Sequence, residues 1–454
     1  MALPLRIAVV GSGPSGVYTA QALLERLPPP GAVIDVLDRL PCPYGLVRYG
    51  VAPDHEKIKS LQRNLRVVLE DPRVRFVGNL PVGDGGVPTG ELHRLYHAVV
   101  YCVGAAADRH LGIPGEELAG SHSATEFVAW YSAHPDASGR RFPLDARSVV
   151  VIGVGNVAVD VARMLARTPT ELRGTDMPQA PLDELAAGSV ETIHLVGRRG
   201  PSQAKFTTKE LRELGSLPGA RAYAELAELA SDPYSAAPEG LPAMVRRNLA
   251  VLRGWTEDGT PPGPGERAIR LRFYLRPVEI IGDGLGRVRA VRFERTAPTE
   301  DGRVRGTGEY EEVEAQLVLR SVGYRGVPLP GLPFDETTGT VPHDQGRVRR
   351  PGGALSGEYV AGWIKRGPTG VIGTNRACAK ETVTTLLADA DELATRPVPA
   401  DDPLRVLRAA GHDPVEWHGW LGIERAEAAL GGGLGRGTVK IPDWEGLLDA
   451  ARRD

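Results

Sequence analysis

The chain has 454 residues, 42% of them hydrophobic and 24% charged, and 54 Lys+Arg against 57 Asp+Glu leave a formal net charge of -3. That balance excludes a surface coated in nucleic-acid-binding charge, and no apolar run approaches the roughly 20 residues that span a bilayer. Cys42, Cys102 and Cys378 stand far apart, which excludes a disulfide framework, a redox CxxC pair and a four-thiolate cluster carried by this chain.

The first predicted element is an apolar strand over residues 7–10, running straight into Gly11-Ser-Gly13-Pro-Ser15-Gly16. The apolar stretch from Leu5 is too short for a signal-peptide core, so a cytoplasmic protein without a presequence is expected. After the glycines, Val17, Ala20, Leu23, Leu24 and Leu27 recur at helical spacing. Gly11 permits a tight turn, Gly13 lets backbone approach a pyrophosphate, and Gly16 lets helix pack on strand. The helix N-terminus then offers N–H groups and a positive dipole end to phosphates. The next strand, residues 32–37, closes on Asp38, an acid able to accept the hydroxyls of an adenosine ribose.

A strand follows near residues 96–105, ending in Gly104, and then a second glycine turn, with the strand at 149–152 and Gly153-Val-Gly155-Asn156-Val157-Ala158 after it. Ala158 replaces the third glycine and shifts the helix outward. Residues 168–190 are polar and contain Pro, and are expected to form a surface loop. The strand at 192–196 ends not in an acid but in Gly197-Arg198-Arg199-Gly200. Two guanidinium groups there suit a 2′-phosphate, through charge-assisted and bidentate hydrogen bonds, and so predict NADP where an acid would predict NAD. Two nucleotide turns in one chain are economically explained by hydride passing from a nicotinamide to a flavin, with FAD on the first turn and NADP(H) on the second.

Residues 215–320 alternate short β-like runs, such as 268–275 and 286–296, that suit a β-meander, and an apolar run at 315–326 again ends in Val-Gly. Residues 357–375 give a short strand and a Gly-rich loop, followed by a helix over about 376–393. The expected fold is α/β with two Rossmann-like dinucleotide-binding domains, an FAD domain (1–104 and 325–454) carrying an inserted NADP domain (105–324). Residues 394–454 read as a mixed helical tail capping the FAD domain, with no task assigned. On the run 245–255, Arg246, Arg247 and Arg253 offer a basic face, and Arg246 and Arg253, seven apart, share one side of a helix.

These residues together resemble the adrenodoxin-reductase-like family of NADPH–ferredoxin reductases, in particular its mycobacterial-type bacterial members. The resemblance rests on GSGPSG (11–16), PYGLVRYGVAPDH (43–55), IPGE (113–116), GVGNVAVDVAR (153–163), VGRRGP (196–201), FTTKELREL (206–214) and GWIKRGPTGVIGTN (362–375), spread over nearly the whole chain. It implies electron transfer from NADPH through FAD to a small, acidic iron–sulfur ferredoxin, here a separate protein, docking near the basic run. By position it implies FAD contacts at Ser15, Asp38, Leu46 and Val82, and contacts to the isoalloxazine and ribityl chain at Trp363, Gly370, Val371 and Ile372. It implies NADP contacts at Asn156, Val157, Arg198, Arg199 and Glu210, with Arg109 beside the nucleotide and Gly370 near the nicotinamide. His55 and Glu213 match positions near the nicotinamide–flavin junction, with Asp160 a candidate partner of His55. Asp38 stands where many relatives carry Glu. The alternatives are a flavin-dependent NADPH oxidase or monooxygenase and an electron-transfer flavoprotein like the glutamate-synthase small subunit. The latter would normally bring an N-terminal Cys-rich cluster domain.

Overall fold

The computed structural model describes residues 4–29, 31–235, 238–257, 262–263, 265–352 and 356–453. The chain divides into two units, the first made of Met1–Val51, His55–Asp108 and Gly323–Asp454 and the second of Ala52–Asp54 and Arg109–Val322.

The first unit is built on an eight-stranded sheet in the order His343–Asp344, Arg347–Val348, Glu358–Val360, Ala98–Tyr101, Leu5–Val10, Ala32–Leu37, Val74–Gly78 and Val415–Glu416. The middle five strands are parallel, with Leu5 level with Ala32 and Ile7 level with Ala98. Such strands are covered on both faces and so read as continuous apolar runs. Ile7, Val9, Ile34 and Val36 pack on one face with Val17, Ala20 and Leu23 of the helix Pro14–Arg26 and with Ala379 and Val383 of the helix Thr374–Ala388. Ala8, Val10, Leu37 and Val99 pack on the other.

The tail does more than cap. Its strand Val415–Glu416 pairs antiparallel with Val74–Gly78 and extends the sheet, and the helices Trp417–Gly433 and Trp444–Arg452 follow. The helix expected from 376 begins two residues earlier and breaks at Asp389 before a short segment, Ala390–Ala394.

The second unit holds a six-stranded parallel sheet in the order Ser121–Ser123, Leu317–Arg320, Ser148–Ile152, Thr192–Val196, Arg267–Arg272 and Ala220–Ala224. Beside it stands a three-stranded antiparallel meander of Leu275–Gly282, Val288–Pro298 and Val304–Glu314. The run 268–275 is therefore not meander up to Arg272. Its register, Ile269 level with Ile193, makes it a parallel strand, and only the later runs form the meander. Residues 168–190 are likewise not a plain loop. They contain the helices Pro169–Arg173 and Gln179–Ala187, which bury Leu172, Leu182 and Leu185. A capping box sets the first of them, Thr168 and Glu171 each accepting from the other's backbone N–H. Among the described residues no helix is long and apolar enough to cross a membrane.

Candidate functional site

In the first unit, Gly11 (φ +109°) donates its N–H to Leu37 O at 2.7 Å, closing the strand into the turn. A Cβ on Gly16 would lie 1.8 Å from Gly11 O, a space only hydrogen can occupy. The helix Pro14–Arg26 starts after Gly13, which supplies no side-chain cap to the first N–H groups. Ser15 Oγ is buried without a hydrogen-bond partner. An uncapped helix start beside an orphaned hydroxyl is the donor set a pyrophosphate requires, and the residues present fit a dinucleotide. Asp38 is half-buried and turned back onto the turn, accepting from Ser12 N (2.8 Å), Ser12 Oγ and Leu40 N (2.9 Å). Burial pushes its carboxyl up, and the Ser12 and Leu40 donors oppose that shift.

The other residues expected around FAD also lie in this unit. Leu46 is exposed at the start of the short helix Leu46–Tyr49, and Val82 is half-buried in a bridge with Val87. The Trp363 ring lies 5.3 Å from that of Tyr324. Gly370 holds φ +82° with Thr374 directly over it, Val371 is exposed and Ile372 half-buried. The helix begins at Thr374, beyond both, and the Val371 N–H is donated to Thr374 Oγ1 at 3.1 Å.

In the second unit, Gly153 (φ +142°) donates to Val196 O at 2.8 Å, repeating the first turn's closure. The helix Asn156–Ala166 starts after Gly155, again with no side-chain cap, and Ala158 is fully buried where the first turn has Gly16. Val157 is half-buried against the core. The Asn156 side-chain oxygen accepts from Thr207 N at 2.8 Å, and Val154 O accepts from Lys205 N at 2.9 Å, so residues 204–207 are strapped onto the turn. At the end of Thr192–Val196, the backbone carbonyls of Arg198 and Arg199 are fixed by Thr296 Oγ1 (2.8 Å) and Tyr274 N (3.2 Å). Both side chains are exposed, and among the described residues neither guanidinium has a carboxylate partner. A fixed backbone presenting two uncommitted guanidiniums suits a 2′-phosphate. Arg109 is exposed at the head of this unit's main segment.

Arg163, fully buried, is a hub that sequence reasoning missed. It binds Asp54 through Nε (2.7 Å) and Nη2 (3.1 Å), Asp160 through Nη2 (2.8 Å), and Glu210 and Glu213 through Nη1 (3.5 and 3.4 Å). Arg167 adds a bond to Asp54 at 2.9 Å. Glu210 and Glu213 thus share one face of the helix Thr208–Leu214, as their spacing predicts, and both reach the same guanidinium. The legible signal was position: Arg163 lies three residues after Asp160, among Val159, Ala162 and Met164, where a lone charge needs carboxylates. Four carboxylates face two arginines here. Burial, aided by Asp54 and Glu213 and opposed by Arg163, raises Asp160 to about 6. His55 belongs to the first unit, buried at the head of the helix Glu56–Lys59, where its carbonyl accepts from Ile58 and Lys59.

The basic run forms the helix Ala243–Glu257. Arg246 donates to Glu239 O (3.1 Å) and Leu241 O (3.0 Å), and Arg253 donates to Ser235 O, so both fold onto their own loop while Arg247 is exposed.

Residues 5–182 match the family model described as pyridine nucleotide-disulphide oxidoreductase. The chain is 45% identical, over 97% of each chain, to the NADPH-ferredoxin reductase FprA of Mycobacterium leprae. It is 38% identical to the mitochondrial NADPH:adrenodoxin oxidoreductase of Arabidopsis thaliana, covering 99% of this chain and 95% of that one. The structure of Mycobacterium tuberculosis FprA in complex with NADPH superposes with a TM-score of 0.92 at 43% identity, covering 99% of both chains. Full-length identity at this level, with both glycine turns in place, means that the chain belongs to the adrenodoxin-reductase-like family of NADPH–ferredoxin reductases.

Proposed function

We propose that the protein is an FAD-dependent NADPH:ferredoxin oxidoreductase acting in the cytoplasm. The observation that carries this reading is the pair of glycine turns with opposite strand ends, Asp38 after the first and the uncommitted Arg198 and Arg199 after the second. Bound on the first turn, FAD would supply the chemistry that links a two-electron hydride donor, NADPH, to a one-electron iron–sulfur acceptor.

The chain's own residues bind and orient. Gly11, Gly13, Ser15 and Gly16 hold the FAD pyrophosphate, Asp38 the adenosine ribose, and Leu46, Val82, Trp363, Gly370, Val371 and Ile372 the rest of that cofactor. Asn156, Val157, Glu210 and Arg109, with Gly155 of the turn, hold the NADP(H) backbone, and Arg198 and Arg199 its 2′-phosphate. Hydride transfer needs stacking and exclusion of water more than strong acid–base catalysis. His55, Glu213 and Asp160 accordingly set charge and protonation around the reacting rings. The ferredoxin docks on a basic face that includes Arg247, with Arg246 and Arg253 adding charge from guanidiniums already bonded to loop carbonyls.

Anaerobic titration of the purified protein with NADPH and then NADH tests the reading. Bleaching of the flavin at far lower NADPH than NADH, followed by reduction of added ferredoxin, is expected. A colourless preparation that cannot be reconstituted with FAD, or equal response to both nucleotides, would refute it.

A further inference from the structure

The first turn is not held by its own residues alone. Residues 42–50 lie against it, with Tyr44 N donating to Ser12 O at 3.1 Å. Gly45 sits so close that a Cβ there would lie 2.9 Å from Gly13 Cα. Tyr44, at φ +81°, holds a left-handed conformation that a tyrosine rarely adopts. Such strain persists only where the surroundings over-determine the backbone.

Those surroundings are supplied largely by the tail. Arg48 (4% exposed) forms an ion pair with Glu427 (2% exposed), Nη2 to Oε1 at 2.5 Å, and Glu427 Oε1 also accepts from Ile441 N at 3.0 Å. Lys440 Nζ donates to the Arg48 carbonyl at 2.5 Å. The Arg48 guanidinium lies 5.1 Å from the Trp420 ring centre, and Tyr44 meets the same ring edge-on at 5.9 Å. A buried ion pair gains little net stability over apolar packing of the same volume, and its attested use is to fix one geometry. All of these contacts but the Ile441–Glu427 bond, which holds the carboxylate in place, fall on the stretch that touches the turn. Resting on the reading of residues 11–16 as the FAD turn, we propose that residues 417–441 form a clamp that keeps this turn in its binding shape, with Glu427 and Lys440 as positioning residues acting through Arg48.

The test compares FAD affinity with fold stability in the full-length protein, using Glu427→Gln, Lys440→Met and a control, Asp389→Asn. The control removes the carboxylate charge that pairs with Arg347, and one of the two oxygens that serve Arg347 and the Tyr359 hydroxyl, in the same unit, away from residues 42–50. FAD dissociation constants are read from flavin fluorescence on rebinding to apoprotein, and melting temperatures from circular dichroism. Glu427→Gln is expected to raise the FAD constant about tenfold or more, Lys440→Met by a smaller factor, and Asp389→Asn by less than about twofold at a similar loss of melting temperature. NADPH affinity should hold in all three. FAD constants that stay at the wild-type value in both clamp variants, or rise equally in the control, would overturn the clamp. If Glu427→Gln does not fold, Lys440→Met against the control decides alone. Wild-type apoprotein that takes up no FAD would instead overturn the reading of the turn.

Discussion

The two glycine turns begin from one plan and part at the strand that follows. In the first unit the acid at the strand end is drawn into the turn, Asp38 taking the Ser12 N–H, and the helix packs so tightly that Gly16 has no room for a methyl group. In the second unit Ala158 fills the equivalent place, and the strand ends in two exposed guanidiniums whose backbone, not side chains, is tied down. The first turn therefore offers backbone shape and the second side-chain charge. Damage to each should follow that division.

The largest expected effect is at Gly16. Its Cβ would meet the Gly11 carbonyl, which is backbone and cannot rotate away. Gly16→Ala should cost more than about 3 kcal/mol in urea unfolding and release FAD, because overpacking here displaces the turn itself. The mirror change, Ala158→Gly, should cost only about 1 kcal/mol, the usual helix penalty, and leave NADPH binding intact. Equal costs for the two would erase the distinction between the turns.

Next come the guanidiniums. Arg198→Ala or Arg199→Ala should each raise KM for NADPH roughly tenfold to a hundredfold, the worth of a charge-assisted hydrogen bond. KM for NADH should stay within about twofold, since NADH lacks the phosphate. Steady-state kinetics with both nucleotides measures this directly. A parallel rise for NADH would place the two arginines elsewhere than on the 2′-phosphate.

Both turns were legible because a glycine at a fixed offset from an apolar strand leaves few other meanings, and the order strand, turn, helix is local. What escaped was set by distant partners. Residues 267–272 look like any short β run, and only pairing with 192–196 and 220–224 makes them part of the parallel sheet. The helices within 168–190 were missed although Thr168 and Glu171 stand at capping-box spacing, because polar composition and Pro outweighed that signal. In the candidate site the carboxylates Asp160, Glu210 and Glu213 were visible as residues, but not Arg163, the cation that gathers them, nor Asp54, which reaches it from 106 or more residues earlier than the other three. The basic run was read as a docking face from its charges, and nothing in their spacing shows that Arg246 and Arg253 turn onto loop carbonyls.

The smallest effect distinguishes the carboxylates of the two units by pH. Asp160 is raised by burial from 3.8 to about 6, so the folded second unit holds a proton there that the unfolded chain has lost. A raised carboxyl contributes stability that is complete below the unfolded value and disappears as pH rises through the folded one. Wild-type protein should therefore lose on the order of 3 kcal/mol of stability from this group between about pH 4 and 6. Glu358 in the first unit runs the other way. Burial alone would raise it, but Arg350 and His93 hold it at about 2, so its contribution is present above 4.5 and disappears only as pH falls toward 2. Asp160→Asn should flatten the pH dependence of urea unfolding between 4 and 6, and Glu358→Gln should leave the slope above about pH 5 unchanged while lowering stability at neutral pH. If the Asp160→Asn curve runs parallel to wild type across the window, the proton resides on another member of the Arg163 cluster.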